Sequence, residues 1–506
     1  MRFSRTKNTL RNIVFGSVNR IINIILPFIS RTVILYVMGT QYLGLSSLFS
    51  SILSFLSLTE LGIGAAMIYS MYKPIAENDH ATIKALLNLY KRIYRIIGLI
   101  ILVLGLCLLP FLKVLVPEAL PEDINLHLLY IIYLVNTVLS YWLFAYKNAM
   151  LQAYQRDDIN SKIASIISPL SYVIMLGSLA ATKNYYAYVI WLPIFTVITN
   201  ILRLVLVNRS FPDMVPEGEV SPELKKSIFK KTSALIGTKL NTVVLNAADN
   251  IVMSAFLGLT AIAMYGNYHY IMSSIIGFLG IVYSSMTAGL GNSLQTDSLD
   301  DNYRNFEKFS FINSWLVGWC TVCLVCLYQP FMKLWVGEEL MFPFYVVLEM
   351  GVYFYIYQIR KIPVVYKDAA GIWWEDRFRP YVCMVVNVVL NILLVQMIGI
   401  SGIILSTVFS LCVSIPWENY TIFKYVFHRS SRSYYGKMFL SAGTMLLAGA
   451  VTLWLCSFLG DSIAAFFGKG IVCVIVPNMI FVACNCKRKE FKETMAFAKR
   501  IVKRQY

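Results

Sequence analysis

Apolar runs of about 20 residues recur along the whole chain, which is the length needed to cross a bilayer core of about 30 Å as a helix. They are read as fourteen spans, at 12–37, 43–70, 93–113, 125–146, 162–182, 186–207, 233–257, 260–288, 308–331, 342–362, 379–399, 401–425, 437–459 and 463–485. An even number of crossings puts both ends on one side of the membrane. Two polar-flanked segments repeat apolar residues at helical spacing instead. "HATIKALLNLYKRIYR" (80–95) carries Ile83, Leu86, Leu87 and Tyr90 beside Lys84, Lys91 and Arg92, and the tail "KRKEFKETMAFAKRIVKRQY" does likewise through Phe491, Met495, Ala498 and Val502. Both are expected to lie in the headgroup layer as interfacial helices against anionic lipid.

Composition agrees: 58% of the 506 residues are hydrophobic and 14% charged, which excludes a soluble protein. The formal charge of +17 raises the question of nucleic acid, and the positions of the charges answer it. Loops on one face are tiny or acidic ("GTQ", "VPEALPEDIN", "KNYY", "WVGEEL", "GIS", "GDS"), with only Lys113, Lys183, Lys333 and Lys469 at their edges. Of the 44 Lys and Arg, those four and three inside spans aside, the rest gather on the opposite face, which is therefore cytoplasmic and holds both termini. The expected partners are membrane lipids and no nucleic acid. The first run follows "MRFSRTKNTLR" without a small-residue cleavage site, so it is expected to be a retained span. The 10 cysteines are scattered through apolar runs, and Cys484 and Cys486 form a lone CxC, so packing is expected and no metal site.

Sliding the chain on itself by 219 residues lays span one over span seven. Arg20 falls on Lys239, Asn23 on Thr242, Pro27 on Asn246 and Arg31 on Asn250, while Gly39 meets Gly258 and Phe49 meets Tyr268. An offset of six spans preserves orientation, so the halves are expected to be parallel repeats about an axis along the membrane normal.

The stripe in span one carries the chemistry. Each central arginine opposes insertion by roughly 2.5–3.5 kcal/mol, and about fourteen Ile, Val, Leu and Phe residues of the same span return roughly 4–8 kcal/mol. The terms nearly cancel, so the arginines must face protein or water. Arg20, Asn23, Pro27 and Arg31 fall within about 80° of one another on a helix. With Lys239, Asn246 and Asn250 on the repeat mate, the two stripes define an electropositive, hydrated cavity suited to an anionic cargo, because arginine grips phosphate in a planar fork. The bland alternative is neutralisation by acids: Glu60 is at nearly the depth of Arg20, and Asp249 at that of Arg31. Glu60, Asp249 and Glu349 are the gating or ion-coupling candidates; a proton or sodium ion is the only cofactor-like species implied. Asn136, Asn267, His269, Asn387 and Asn391 also lie within spans, and interhelical hydrogen bonds are the expectation for the asparagines. Nothing resembles a nucleotide loop, a zinc motif or a nucleophile elbow, so no catalytic residue is assigned.

The stretch "MGTQYLGLSSLFSSILSFLSLTELGIGAAMIYSMYKPIAENDHATIKALLNLYKRIYRIIG" (38–98), above all "YLGLSSLF", "LSLTELGIGAA" and "YKPIAEND", resembles the polysaccharide repeat-unit flippases of the multidrug/oligosaccharidyl-lipid/polysaccharide (MOP) exporter superfamily. The resemblance implies an all-α integral membrane fold of about fourteen helices: an N-lobe (1–220), a C-lobe (221–433) and an appended pair of spans with a basic tail (434–506). It implies a non-enzyme of the bacterial cytoplasmic membrane that moves an undecaprenyl-pyrophosphate-linked oligosaccharide outward by alternating access. Arg20, Arg31 and Lys239 are the positions fitting the pyrophosphate, and a lateral groove beside the last two spans would take the lipid tail. A monomer working with a glycan polymerase and glycosyltransferases is the implied setting. A multidrug/cation antiporter would favour acidic and aromatic residues where this stripe is basic. A membrane glycan polymerase or glycosyltransferase would need a sizeable outer loop with carboxylates, and every outer loop here is about a dozen residues or fewer.

Overall fold

The computed structural model describes residues 5–504 except Leu61, Gly62 and Gln155; side chains at 5–20, 59, 65, 227, 230–236, 238–239, 241–242, 246, 285, 288–289, 292 and 497–504 lie outside the described residues. It is all-helical, without a strand among the described residues. The main helices are α1 (Arg5–Val37), α2 (Thr40–Leu56), α3 (Ile63–Glu77), α4 (His80–Leu108), α5 (Leu126–Trp142), α6 (Tyr146–Ala153), α7 (Asp157–Thr182), α8 (Trp191–Ser210) and α9 (Pro222–Thr296). They continue with α10 (Leu299–Val336), α11 (Phe344–Ile359), α12 (Lys361–Ala370), α13 (Arg379–Ile398), α14 (Ile400–Ile422), α15 (Arg432–Ser457), α16 (Ile463–Asn485) and α17 (Lys489–Arg504). The chain divides into two compact units, Met1–Ala263 and Met264–Tyr506.

Among the described residues nine helices are long and apolar enough to cross a membrane, or ten if α5 and α6, bent by 50°, make one span. Some of the fourteen expected spans are interrupted or run together. Span two breaks at a 3₁₀ turn, Ser57–Glu60, between α2 and α3. Spans seven and eight run together in α9, interrupted at Gly258, whose φ of 83° and ψ of 176° only glycine adopts without strain. Gly39, its repeat mate, has φ 103° and ψ −179° and separates α1 from α2. The two halves thus turn on the same backbone conformation at matched positions, which supports the internal repeat.

The amphipathic segment 80–95 is not a separate interfacial helix. It is the first half of α4, continuous with span three, and Ile83, Leu86, Leu87 and Tyr90 are buried against protein. An apolar face at helical spacing fixes only that something apolar covers it, and here α2, α3, α5 and α6 do so. The helix is capped by Asp79, which accepts from Thr82 N at 3.0 Å. The tail also docks on protein: the Phe491 ring lies 5.9 Å from that of Trp315 on α10, and Glu490 pairs with Lys437 of α15 at 2.7 Å. Ala498 and Val502 lie outside the described side chains.

One end of the second unit is tied by ion pairs to the exposed Glu338 and Asp461. Lys333 Nζ meets Glu338 at 2.6 Å and Asp461 at 3.0 Å, and Lys469 reaches Asp461 at 3.4 Å. Hydrogen bonds from Lys333 and Lys469 hold the Asp461 carboxyl below its ordinary range. A carboxyl depressed in the folded state stabilises at neutral pH and loses that contribution as pH falls through the depressed value. Acid should therefore lower the melting temperature of the wild type slightly more than that of Asp461→Asn, and by a small margin because the pair is exposed. Equal acid sensitivity in the two proteins would contradict the linkage.

Candidate functional site

The basic stripe is only partly visible. Arg20, Lys239 and Asn246 lie on α1 and α9 with side chains outside the described residues. Asn23 is exposed and Arg31 half-buried on α1. The neighbouring Ser30, 4% exposed, shares a 2.9 Å hydrogen bond with the Tyr188 hydroxyl, and α1 packs along α7. Asn250 of α9 donates to Ser51 Oγ of α2 at 2.8 Å. Asp249 is buried beside it.

The three acidic candidates have separate settings. Glu60, closing the 3₁₀ turn, accepts hydrogen bonds from the phenols of Tyr94 and, at 2.9 Å, Tyr141, and Tyr94 accepts in turn from Tyr90 at 2.6 Å. Glu349 on α11 carries a buried carboxylate oxygen with no hydrogen-bond partner among the described residues. Three of the intramembrane asparagines bond between helices as expected: Asn136 accepts from Thr196 at 2.6 Å, Asn387 donates to Thr407 at 3.0 Å, and Asn391 accepts from Ser406.

Within the first unit, Glu118 clamps the two glycine turns. Its Oε1 accepts from Gln41 Nε2 at 2.6 Å, and its Oε2 from the backbone N of Leu259 at 2.8 Å. Beside it the Thr40 and Thr260 hydroxyls lie 3.3 Å apart. A Cβ on Gly44 would sit 2.3 Å from the Leu259 carbonyl oxygen, so glycine is what permits this approach of α2 to α9.

The second unit holds an ionic cluster that the sequence reading missed. Glu418 of α14, 1% exposed, accepts from Arg360 at 2.7 Å and Arg379 at 3.0 Å; Asp376 takes Arg379 at 2.8 Å and Lys367 at 2.5 Å. The available signal was a lone glutamate inside an apolar run, facing the charge-dense "RKIPVVYKDAAGIWWEDRFRP". On another face of this unit α10, α11, α14 and α15 enclose an apolar groove of about 760 Å³, lined by such residues as Val325, Leu348, Ile356, Met445 and Leu446. Span thirteen lines it; span fourteen does not. Cys326, Cys456 and Cys473 bring their thiols within 4.8 Å of one another, packed in an apolar cluster with Val322 and Ala448.

Comparisons with known proteins agree with this architecture. The structure of a lipid II flippase MurJ in an inward closed conformation superposes with a TM-score of 0.65 at 15% identity, covering 93% of this chain and 98% of that one. An outward-facing multidrug resistance MATE family transporter of the MOP superfamily gives 0.56 at 12%, covering 84% and 96%. A MOP superfamily transporter from Pyrococcus furiosus gives 0.50 at 13%, covering 83% and 95%. At these identities the likeness establishes the fold. No curated protein matches. The model of one family, described as polysaccharide biosynthesis protein, matches residues 9–287, more than half of the chain. With its helical units and paired glycine turns, this multi-pass membrane chain has the fold of the MOP exporters and belongs to the polysaccharide biosynthesis protein family.

Proposed function

We propose that the chain is a flippase for a polyprenyl-pyrophosphate-linked oligosaccharide, carried from the inner to the outer leaflet of the bacterial cytoplasmic membrane by alternating access of an N-lobe (1–220) and a C-lobe (221–433). The observation that carries this reading is the apolar groove of about 760 Å³ in a member of a polysaccharide biosynthesis family. A groove this size with hardly a polar atom suits an isoprenoid chain, whose burial gains about 0.8 kcal/mol per CH₂. Arg20, Arg31 and Lys239 supply the positive charge for the pyrophosphate, assisted by Asn23, Asn246 and Asn250. The drug-antiporter alternative lacks a carboxylate in the described part of that stripe, and the enzyme alternative lacks a catalytic constellation in the sequence. Coupling to a proton or a sodium ion would fall to Glu349, Glu60 or Asp249.

The test is surface glycan display in cells expressing variants at wild-type levels. Arg31→Ala should lower display by tenfold or more, since a charged hydrogen-bond pair contributes about 1.5–3 kcal/mol. Arg31→Lys should retain part of the activity where a point charge suffices and none where the bidentate fork is needed. Unchanged display in Arg31→Ala would remove Arg31 from the cargo site.

A further inference from the structure

Within the first unit the helices surround a second cavity, of about 410 Å³, with the opposite chemistry to the apolar groove. One wall is a serine ladder: Ser46, Ser50 and Ser54 stand one turn apart on α2, and Ser57 continues the row. The facing walls bring Tyr133 and Asn136 from α5, Tyr172 from α7, and Tyr188. None of the described lining residues carries a charge.

The hydrogen bonds already made decide what the walls still offer. Ser50 and Ser57 donate back to the carbonyls of Ser46 and Leu53, at 2.7 and 2.8 Å, which leaves their oxygen lone pairs as acceptors. Asn136 has its carbonyl end fixed by Thr196 Oγ1 at 2.6 Å, so its amide nitrogen is the end that donates. Tyr133 donates to Ser46 Oγ at 3.1 Å, holding the ladder against α5. The cavity therefore presents acceptors, a donor and flat aromatic faces together. A phosphate would find no cation here, a cationic drug no carboxylate, and an alkyl chain too many hydroxyls. A lone coupling ion would rattle, because the volume corresponds to on the order of a dozen waters. A sugar ring fits on each count: its hydroxyls both donate and accept, and its C–H faces lie against tyrosine rings.

Position favours the same ligand. Ser50 is ten residues along α2 from Thr40, about 15 Å at helical rise, near the middle of the bilayer core. Tyr188 ties the cavity wall to Ser30, the residue before Arg31. We propose that this hydroxyl-lined cavity is a neutral-saccharide subsite that receives the sugar attached to the pyrophosphate; the inference rests on the flippase reading above and specifies which residues read the glycan.

The experiment uses the purified full-length protein in nanodiscs and two probes: undecaprenyl pyrophosphate, and the same lipid bearing one glucose. The wild type should bind the glycosylated probe about tenfold more tightly, the gain of one or two neutral hydrogen bonds. Ser54→Leu and Ser50→Leu, both at exposed positions, should abolish that difference while leaving affinity for the bare lipid unchanged, which also reports that each variant is folded. Equal binding of the two probes by the wild type, or a preference that survives both substitutions, would overturn the saccharide subsite and leave the flippase standing. Binding of neither probe would overturn the flippase reading and the subsite with it.

Discussion

Glu418→Leu is expected to cost the protein its folded second unit, seen as loss of the monodisperse peak after detergent extraction or as a large fall in melting temperature. Three buried or nearly buried cations, Arg360, Lys367 and Arg379, share two carboxylates, Asp376 and Glu418. Ser414 accepts from both arginines, at 3.1 and 2.9 Å, without adding charge. Removing Glu418 leaves three cations facing one carboxylate at the end of a bundle with little water to replace it. Breaking a buried pair from one side costs about 3–5 kcal/mol, a large share of the roughly 5–15 kcal/mol that holds a folded protein together. The cluster is already incompletely satisfied, since Glu418 Oε2 and Arg360 Nε have no hydrogen-bond partner among the described residues. That makes a compensating change informative. Combining Glu418→Leu with Arg360→Leu removes the stranded cation along with its partner and should recover part of the lost stability. A Glu418→Leu protein melting with the wild type would show that the cluster contributes nothing.

What the sequence made legible follows the range of the interactions. The all-helical membrane fold depends on hydropathy that is local, as the glycine turns do on single residues, and Gly39 and Gly258 adopt matching backbone angles. The cover of the 80–95 face was not legible, because lipid and a neighbouring helix select the same apolar stripe. Glu418 was missed because its arginine partners lie 58 and 39 positions earlier in the chain, and sequence shows the cost of a charge in a span without showing who neutralises it. The serine ladder was in plain view at 46, 50, 54 and 57. Serines that bond their own helix are common in spans, so the ladder gains meaning only with Asn136 and the tyrosines opposite. For the basic stripe, Arg31 and Asn250 can be followed into three dimensions, whereas Arg20, Lys239 and Asn246 fall outside the described side chains.

Gly258→Ala should destabilise the protein more than Gly39→Ala, although the two glycines are repeat mates with nearly the same backbone. At Gly39 an added Cβ meets nothing within 4 Å, so only the strained φ of 103° is charged against it, about 1–3 kcal/mol. At Gly258 the same strain applies, and the Cβ would also lie 2.5 Å from Glu118 Oε2. The carboxylate can swing away only by giving up the 2.8 Å bond from Leu259 N, which caps the helix after the break. Losing that charged bond adds about 1.5–3 kcal/mol to the strain. Glu118→Ala separates the two terms, because it removes the clamp while both glycines stay. Its cost, added to that of Gly39→Ala, should approximate the cost of Gly258→Ala, provided the strain at the two turns is equal. In Glu118→Ala, a Thr40→Cys/Thr260→Cys pair, placed where the two hydroxyls now stand 3.3 Å apart, should form its disulfide more slowly than with Glu118 present. If Gly39→Ala and Gly258→Ala proved equally stable, the carboxylate would be a bystander. Crosslinking at an unchanged rate would show that the two turns meet without it.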